Sequence, residues 1–86
     1  MSENEIKSII SEIVVNHQFL RYNLDLRNHT FSDDDRLSED FNADSLDAME
    51  IIMESEDAFS AHIPDFKIRN ICTFGDLCKL FTKSGA

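Results

Sequence analysis

The sequence predicts an all-α fold, a small antiparallel four-helix bundle with three main helices, a short third helix and a long loop after helix one. Apolar residues recur at helical spacing, helix-capping residues stand where these stretches begin, and β-type alternation is absent from the sequence. A chain of 86 residues, 42% of them hydrophobic, suits one domain with a modest core, so we expect a single domain over residues 1–86.

The first helix is predicted over residues 3–20, because apolar residues there follow helical spacing. These residues are Ile6, Ile9, Ile10, Ile13 and Leu20. Residues 21–44 are polar and are predicted to form a loop, which is long for a compact domain. A loop of this length needs anchors, and we expect Leu37 and Phe41 to reach back into the core.

The second helix is predicted to begin at Asp44 and Ser45 and to run to about Phe59. Asp44 is a favourable N-cap residue, and a carboxylate near the start of a helix is stabilised by the helix dipole. Pro64 ends this stretch, because a proline disfavours helical backbone in the residue before it.

The C-terminal part of the chain is predicted to hold a short helical turn and a final helix. The turn covers residues 66–70. Thr73 and Asp76 have the spacing of a capping box, which predicts a last helix that runs through Phe81. Gly75 lies within that helix and is expected to weaken it, because glycine is a poor helix former.

A helical wheel divides the second helix into three groups of side chains. The predicted core stripe consists of Ala48, Ile51, Ile52, Ser55 and Phe59. The predicted exposed acidic stripe consists of Asp47, Glu50, Glu54 and Asp57. The third group, Leu46, Met49 and Met53, lies beside the acids and clear of the core stripe. These three residues either widen the core or form an adaptable surface for several partners.

Negative charge is concentrated in the middle of the chain. The chain has 17 acidic and 8 basic residues, a formal net charge of −9. Residues 33–65 hold twelve acids and one base, Arg36, which makes that segment −11. Such a field repels nucleic acid and anionic membranes and attracts basic protein surfaces, although a merely solubilising role is the alternative. Crowding of these acids is expected to weaken the fold, because Arg36 is the only nearby base in the sequence.

The sequence also limits the location of the protein and its metal chemistry. The N-terminal residues lack the basic-then-apolar layout of a signal peptide, and no apolar run reaches the roughly 20 residues of a membrane span. A cytoplasmic chain is therefore expected. Cys72 and Cys78 lack metal-ligand spacing and are expected to be packing residues. The scattered histidines predict no metal site.

No catalytic residue is predicted, so we expect a non-enzyme. A hydrolase that used Ser45 would need glycines two residues to either side, but positions 43 and 47 are Ala43 and Asp47. A calcium-binding loop that began at Asp33 would need glycine at its sixth position and glutamate at its twelfth. Those positions hold Ser38 and Asp44, which argues against calcium.

The segment Phe41–Glu50 resembles the phosphopantetheine attachment segment of acyl carrier proteins, in which an Asp-Ser-Leu triplet begins the second helix. The downstream runs Glu56-Asp57-Ala58-Phe59 and Ile63-Pro64-Asp65 resemble the same family. The likeness is clear over residues 37–65 and weak in the loop.

The resemblance implies that Ser45 receives 4′-phosphopantetheine from coenzyme A through a separate phosphopantetheinyl transferase, which Asp44 helps to engage. The arm would carry acyl groups as thioesters to acyl-loading enzymes, synthases or acyltransferases of fatty-acid, polyketide or specialised lipid biosynthesis. A monomer is expected, and its partners would have basic docking surfaces. The predicted partner face consists of Leu46, Asp47, Met49, Glu50, Met53, Glu54, Glu56 and Asp57.

The sequence departs from the family pattern at two informative positions. Asn42 stands where the family usually has glycine, but asparagine tolerates the positive φ that such a turn needs. Ser55 stands where a core leucine is common, and its hydroxyl is expected to bond the carbonyl one turn back. These departures favour a specialised carrier. The alternative to a carrier is an acidic helical interaction module whose Ser45 stays unmodified.

Overall fold

The computed structural model describes the backbone of residues 2–84 and the side chains of residues 2–82. Its five helices are α1 (Glu3–Tyr22), α2 (Leu37–Phe41), α3 (Ser45–Phe59), α4 (Asp65–Ile68) and α5 (Phe74–Ser84). Within residues 2–84 there is no strand, only one isolated bridge between Arg36 and Thr73. Helix α1 packs against both α3 and α5. The predicted all-α bundle is confirmed, with α4 as the short helix and α2 as one helix more than expected.

Helix α1 runs two residues beyond its predicted end. Its start is fixed by a capping box in which the Glu5 N–H donates to Ser2 Oγ at 3.2 Å and the Ser2 N–H donates to Glu5 Oε1 at 3.1 Å. Its end is marked by Asn23 in the left-handed conformation, with φ of 57°. Leu20, expected on the apolar face, is exposed, and His17 is buried on that side instead.

The connection between α1 and α3 is a loop, as predicted, except that residues 37–41 form α2. Leu37 and Phe41 are both buried, which confirms them as anchors. The rings of Phe31, Phe41 and Phe74 contact one another, so aromatic packing holds the loop against α5.

Backbone hydrogen bonds join the second half of this loop to the start of α5. The Leu37 N–H donates to the carbonyl of Cys72, and the Phe74 N–H donates to the carbonyl of Asp35. The Gly75 N–H donates to the carbonyl of Asp33 at 3.0 Å. A Cβ at position 75 would lie only 2.9 Å from that oxygen, so glycine permits the close approach.

The acids of this loop have more partners than the sequence suggested. Lys7 Nζ lies 2.9 Å from Asp33 Oδ1, and His29 Nε2 lies 2.8 Å from Asp35 Oδ2. The expectation that Arg36 is the only base near these acids is therefore wrong. It failed because α1 brings Lys7 to the loop from a distant part of the sequence.

The starts of α3 and α5 follow the predicted pattern of turn and capping residues. Asn42, just before α3, has φ of 56°, as expected of a residue in a glycine position. The Asp76 N–H donates to Thr73 Oγ1 and the Thr73 N–H donates to Asp76 Oδ2, each at 3.1 Å, which confirms the capping box of α5.

Ser55 is fully buried, and its hydroxyl donates to the Ile51 carbonyl at 2.8 Å, as expected.

The core lies between α1, α3 and α5 and is closed by the long loop. Its buried apolar residues include Ile10, Val14, Phe41, Ile51, Ile52, Ile63, Phe74 and Leu77. Cys78 is buried among them, whereas Cys72 is exposed, so the expectation that both cysteines are packing residues is wrong for Cys72. None of the helices in the described part of the chain is long and apolar enough to span a membrane.

Candidate functional site

Ser45 is the first residue of α3 and is exposed. Asp44, not Ser45, caps the helix: the Asp47 N–H donates to Asp44 Oδ1 at 2.9 Å. Among the hydrogen bonds formed by residues 2–82, none involves Ser45 Oγ. A serine needed only as a cap would have its hydroxyl engaged with the helix backbone. The Ser45 hydroxyl is instead available to an external group.

Ser45 lies on the rim of two cavities. The larger, about 380 Å³, separates α3 from α4 and is lined by Ser45, Ala48, Met49, Ile52, Ile68 and Arg69, among others. We refer to it as the α3–α4 cavity. The smaller, about 230 Å³, lies between α3 and the α2 region and includes Arg36 and Cys72 in its lining. The larger volume falls in the range of about 300–1,000 Å³ that is typical of small-molecule pockets.

The apolar group beside the acidic stripe is exposed. Leu46, Met49 and Met53 have 54%, 39% and 58% of their surface accessible, so they do not widen the core. Of the two alternatives that the wheel left open, the structure therefore favours the exposed surface. Large apolar side chains grouped in this way on one helix are typical of a binding face.

Asp47 does not belong to that face. The prediction that it lies on the exposed acidic stripe is wrong, because its side chain has 0% exposure. Tyr22 Oη donates to Asp47 Oδ2 at 2.6 Å, and Arg21 Nε lies 2.9 Å from Asp47 Oδ1 in an ion pair. Burial alone would raise the pKa of this carboxyl, but these partners and the Asp44 amide hold the pKa below its ordinary value.

Glu50 is only partly solvated, contrary to prediction. Its Oε1 lies 2.8 Å from His17 Nε2 and 3.5 Å from an Arg21 guanidinium nitrogen. The other imidazole nitrogen of His17, Nδ1, lies 2.7 Å from Gln18 Oε1, while Gln18 Nε2 donates to the Phe41 carbonyl. Both imidazole nitrogens of His17 therefore face oxygen atoms, an arrangement that favours the protonated ring.

The pKa of His17 agrees with that assignment. Burial of the ring lowers the pKa, but the hydrogen bonds to Gln18 and Glu50 and the charge of Asp47 outweigh burial and raise it. We call this set of side chains between the two helices the α1–α3 polar network. It consists of His17, Gln18, Arg21, Tyr22, Asp47 and Glu50.

Three atoms of this network have a spacing that suits a metal ion. One ligand-type atom each from His17, Asp47 and Glu50 lies within 4.8 Å of the others. The Arg21 guanidinium, however, already pairs with both carboxylates and supplies the positive charge that a cation would bring. We therefore assign the group to helix packing rather than to metal binding.

The remaining acids of α3 divide between solvent and structure. Glu54 and Asp57 are exposed, as predicted. Glu56 is half-buried, and its Oε2 accepts the Ile63 N–H at 2.7 Å, which fixes the turn after α3. The exposed surface around Ser45 therefore consists of Leu46, Met49, Met53, Glu54 and Asp57, and we call this set the exposed α3 face.

Sequence reasoning missed the α1 side of the polar network and also Arg69 beside Ser45. A signal for the α1 residues was present, because Ile10, Val14, His17 and Arg21 continue one helical stripe from apolar into polar residues. A buried stripe that turns polar needs polar partners on the facing helix. Arg69 had no comparable signal, because its position beside Ser45 depends on how α4 packs.

Comparison with known proteins gives a consistent result. No protein-family model matches the chain. It is 39% identical over 61 residues to an acyl carrier protein of Aster yellows witches'-broom phytoplasma, covering 71% of this chain and 80% of that protein. It is 33% identical over 76 residues to an acyl carrier protein of Lactobacillus acidophilus, covering 88% of each. The crystal structure of an acyl carrier protein from Thermotoga maritima superposes with a TM-score of 0.73 at 28% identity, covering 93% of this chain and 89% of that one.

Proposed function

Because the chain belongs to the acyl carrier protein family, we propose that it carries acyl groups as thioesters on a 4′-phosphopantetheine arm attached to Ser45. The observation that supports this site best is the free, exposed hydroxyl of Ser45 at the start of α3, with Asp44 in the capping role. Backbone N–H groups and the dipole at a helix start favour a phosphate there.

The attachment reaction is a phosphoryl transfer to Ser45. The Ser45 oxygen would form a bond to phosphorus, and the nucleotide part of coenzyme A would leave with the electrons of the broken P–O bond. No side chain among residues 2–82 hydrogen-bonds to Ser45 Oγ. The separate phosphopantetheinyl transferase would supply the general base that removes the proton.

The surroundings of Ser45 fit the methyl and methylene groups of the arm, which lie between its polar phosphate, hydroxyl and amides. The α3–α4 cavity opens beside the hydroxyl and is lined by apolar side chains such as Ala48, Ile52 and Ile68. When bound, the arm supplies a terminal thiol that holds the acyl group beyond the domain. Its cargo would belong to fatty-acid, polyketide or specialised lipid biosynthesis.

The exposed α3 face would dock the partner enzymes, which are the transferase and acyl-loading, synthase or acyltransferase enzymes. Leu46, Met49 and Met53 offer adaptable apolar contacts, and Glu54 and Asp57 offer exposed negative charge beside them. Asp47 is no longer part of this proposal, because it is buried against α1. A basic partner surface complements the −11 segment that contains the face.

The attachment site is tested by co-expression with a broad-specificity phosphopantetheinyl transferase and mass spectrometry of the product. Wild type should gain the mass of one arm, and Ser45→Ala should gain none while keeping its helical circular dichroism. Ser38→Ala is the matched control, because Ser38 lines the smaller cavity beside Ser45. Modified Ser45→Ala protein would disprove the site, and unmodified wild type would favour the acidic interaction module.

The docking face is tested by charge reversal. Replacing Glu54 and Asp57 by lysine should slow arm attachment at least about tenfold at low salt, and the deficit should shrink as sodium chloride rises, because exposed charges are screened within about 10 Å at 0.1 M. Asp34→Lys is the control, because Asp34 is an exposed acid in the loop between α1 and α2 and does not belong to α3. Equal rates for all three proteins would show that the acids serve only solubility.

A further inference from the structure

Two residues in and just after α4, Lys67 and Arg69, are positively charged, whereas α3 on the other side of the cavity is acidic. Residues 33–65 carry a formal charge of −11, whereas Lys67 and Arg69 follow at once and are both exposed. Arg69 is the residue that ends α4, and it lines the α3–α4 cavity together with Ser45. Arg69 therefore lines the same cavity as the serine that is proposed to accept the arm.

A second arginine, Arg36, provides a comparison within the molecule. It lines the smaller cavity on the other side of Ser45, and its Nε lies 3.3 Å from Glu39 Oε1 in an ion pair. Arg69, by contrast, forms no ion pair with any side chain among residues 2–82. Of the two arginines beside Ser45, only Arg69 has its guanidinium free of a carboxylate.

The arm would bring a permanent negative charge to this place. A phosphodiester on Ser45 would stand at the start of α3 beside Asp44, and Asp65 also lines the α3–α4 cavity. Two carboxylates near a phosphate raise its energy unless a cation compensates. A guanidinium is suited to that task, because its planar N–H groups bind phosphate oxygens in pairs.

We propose that Arg69 binds the phosphodiester formed on Ser45 and so ties the end of α4 to the start of α3 across the α3–α4 cavity. The inference rests on the proposed function, since it needs the arm on Ser45. Helix α4 has four residues, no side-chain N-cap and no buried residue, so it is weakly held by its own sequence. An ion pair between Arg69 and the phosphodiester on Ser45 would hold α4 more firmly in the modified protein than in the unmodified one.

The test compares thermal unfolding of the unmodified and arm-bearing forms, with attachment verified by mass spectrometry. Attachment should raise the melting temperature of wild type by about 4 °C, and Arg69→Gln should lose that rise. Arg69→Lys, which keeps the charge but not the paired N–H groups, should retain about half of it. Lys67→Gln is the matched control from the same short helix and should keep the full rise.

A second measurement follows Arg69 directly and does not depend on the variants. In ¹H–¹⁵N spectra of wild type, the Arg69 side-chain N–H resonance should move on attachment more than that of Arg36. The rise in melting temperature should shrink between 0.05 and 0.5 M sodium chloride, as an ion pair requires.

The possible outcomes separate the two proposals. A full rise in Arg69→Gln, no rise in wild type, or an Arg69 resonance that does not move would each overturn the role of Arg69 while leaving attachment at Ser45 intact. Failure of wild type to accept the arm would overturn the proposed function and the role of Arg69 with it. Loss of the rise in Arg69→Gln alone supports the inference.

Discussion

The two flanks of α3 are built in opposite ways. On the flank that faces α1, carboxylates of Asp47 and Glu50 meet His17, Arg21 and Tyr22 in short hydrogen bonds and ion pairs. On the flank that faces α4, a cavity of about 380 Å³ with largely apolar walls separates the helices. Ion pairs and hydrogen bonds join α3 to α1 on the first flank, whereas the second flank leaves a cavity beside Ser45.

This difference shows that the sequence of a helix does not reveal which of its acidic residues are buried and which are exposed. Asp47 and Glu54 are both carboxylates on the stripe that the wheel predicts to be exposed. The structure buries Asp47 against α1 and leaves Glu54 in solvent. The closed flank fixes the orientation of α3, and a fixed α3 keeps Ser45 presented at its start. Three predictions test this division of roles.

The largest effect is expected at Asp47. Asp47→Ala removes the partner of Tyr22 and Arg21 and the carboxylate that accepts the Asp44 N–H, so it should lower the free energy of unfolding by about 2 kcal/mol. Glu54→Ala, on the same helix but exposed, should change it by less than about 0.5 kcal/mol. Urea unfolding followed by circular dichroism measures both. Equal effects would mean that the α1–α3 polar network does not stabilise the protein.

A smaller effect is expected from pH, through His17. Its pKa in the folded protein is raised above the ordinary value of 6.5, because Gln18, Glu50 and Asp47 together outweigh burial of the ring. Its contribution to stability is therefore complete below pH 6.5 and is lost as pH rises through the folded-state pKa. The free energy of unfolding should fall over that interval in wild type and stay flatter in His17→Gln. Parallel curves for the two proteins would contradict the protonated assignment.

The smallest effect on stability is expected on the open flank. Met49 lines the α3–α4 cavity and is 39% exposed, so Met49→Ala removes few packed contacts. We expect a loss below about 1 kcal/mol in urea unfolding, less than the 2–5 kcal/mol typical of a buried methionine. A loss within that core range would show that this flank is packed shut and that the comparison between the flanks is wrong.

Much of the fold follows from local sequence signals. The periodicity of the main helices, the Thr73–Asp76 capping box and the buried anchors Leu37 and Phe41 were all predicted correctly. The helices and the capping box depend on residues close together in the sequence, and the anchors are large apolar residues in an otherwise polar loop. Helix α2 was missed because its five residues are too few to show helical periodicity.

The site was predicted less completely, because its environment is assembled from distant segments. A wheel gives the angle of Asp47 around α3 but not the identity of the helix on that side. The two extra residues at the end of α1, Arg21 and Tyr22, are the ones that contact it. For the same reason, the sequence did not decide whether Leu46, Met49 and Met53 are exposed or widen the core. Their exposure depends on where the neighbouring helices end.

The contact between Gly75 and Asp33 has a consequence for how the chain folds. The loop around residues 33–37 is held by backbone groups of residues 72–75, so its docking joins two segments that lie far apart in sequence. Contacts of this kind form slowly, because a long stretch of chain must be ordered first. We expect docking of the loop to be a late event, after α1 and α3 have met. A nascent chain that still lacks residues 72–75 would lack these backbone partners of the loop, even with Ser45 already synthesised.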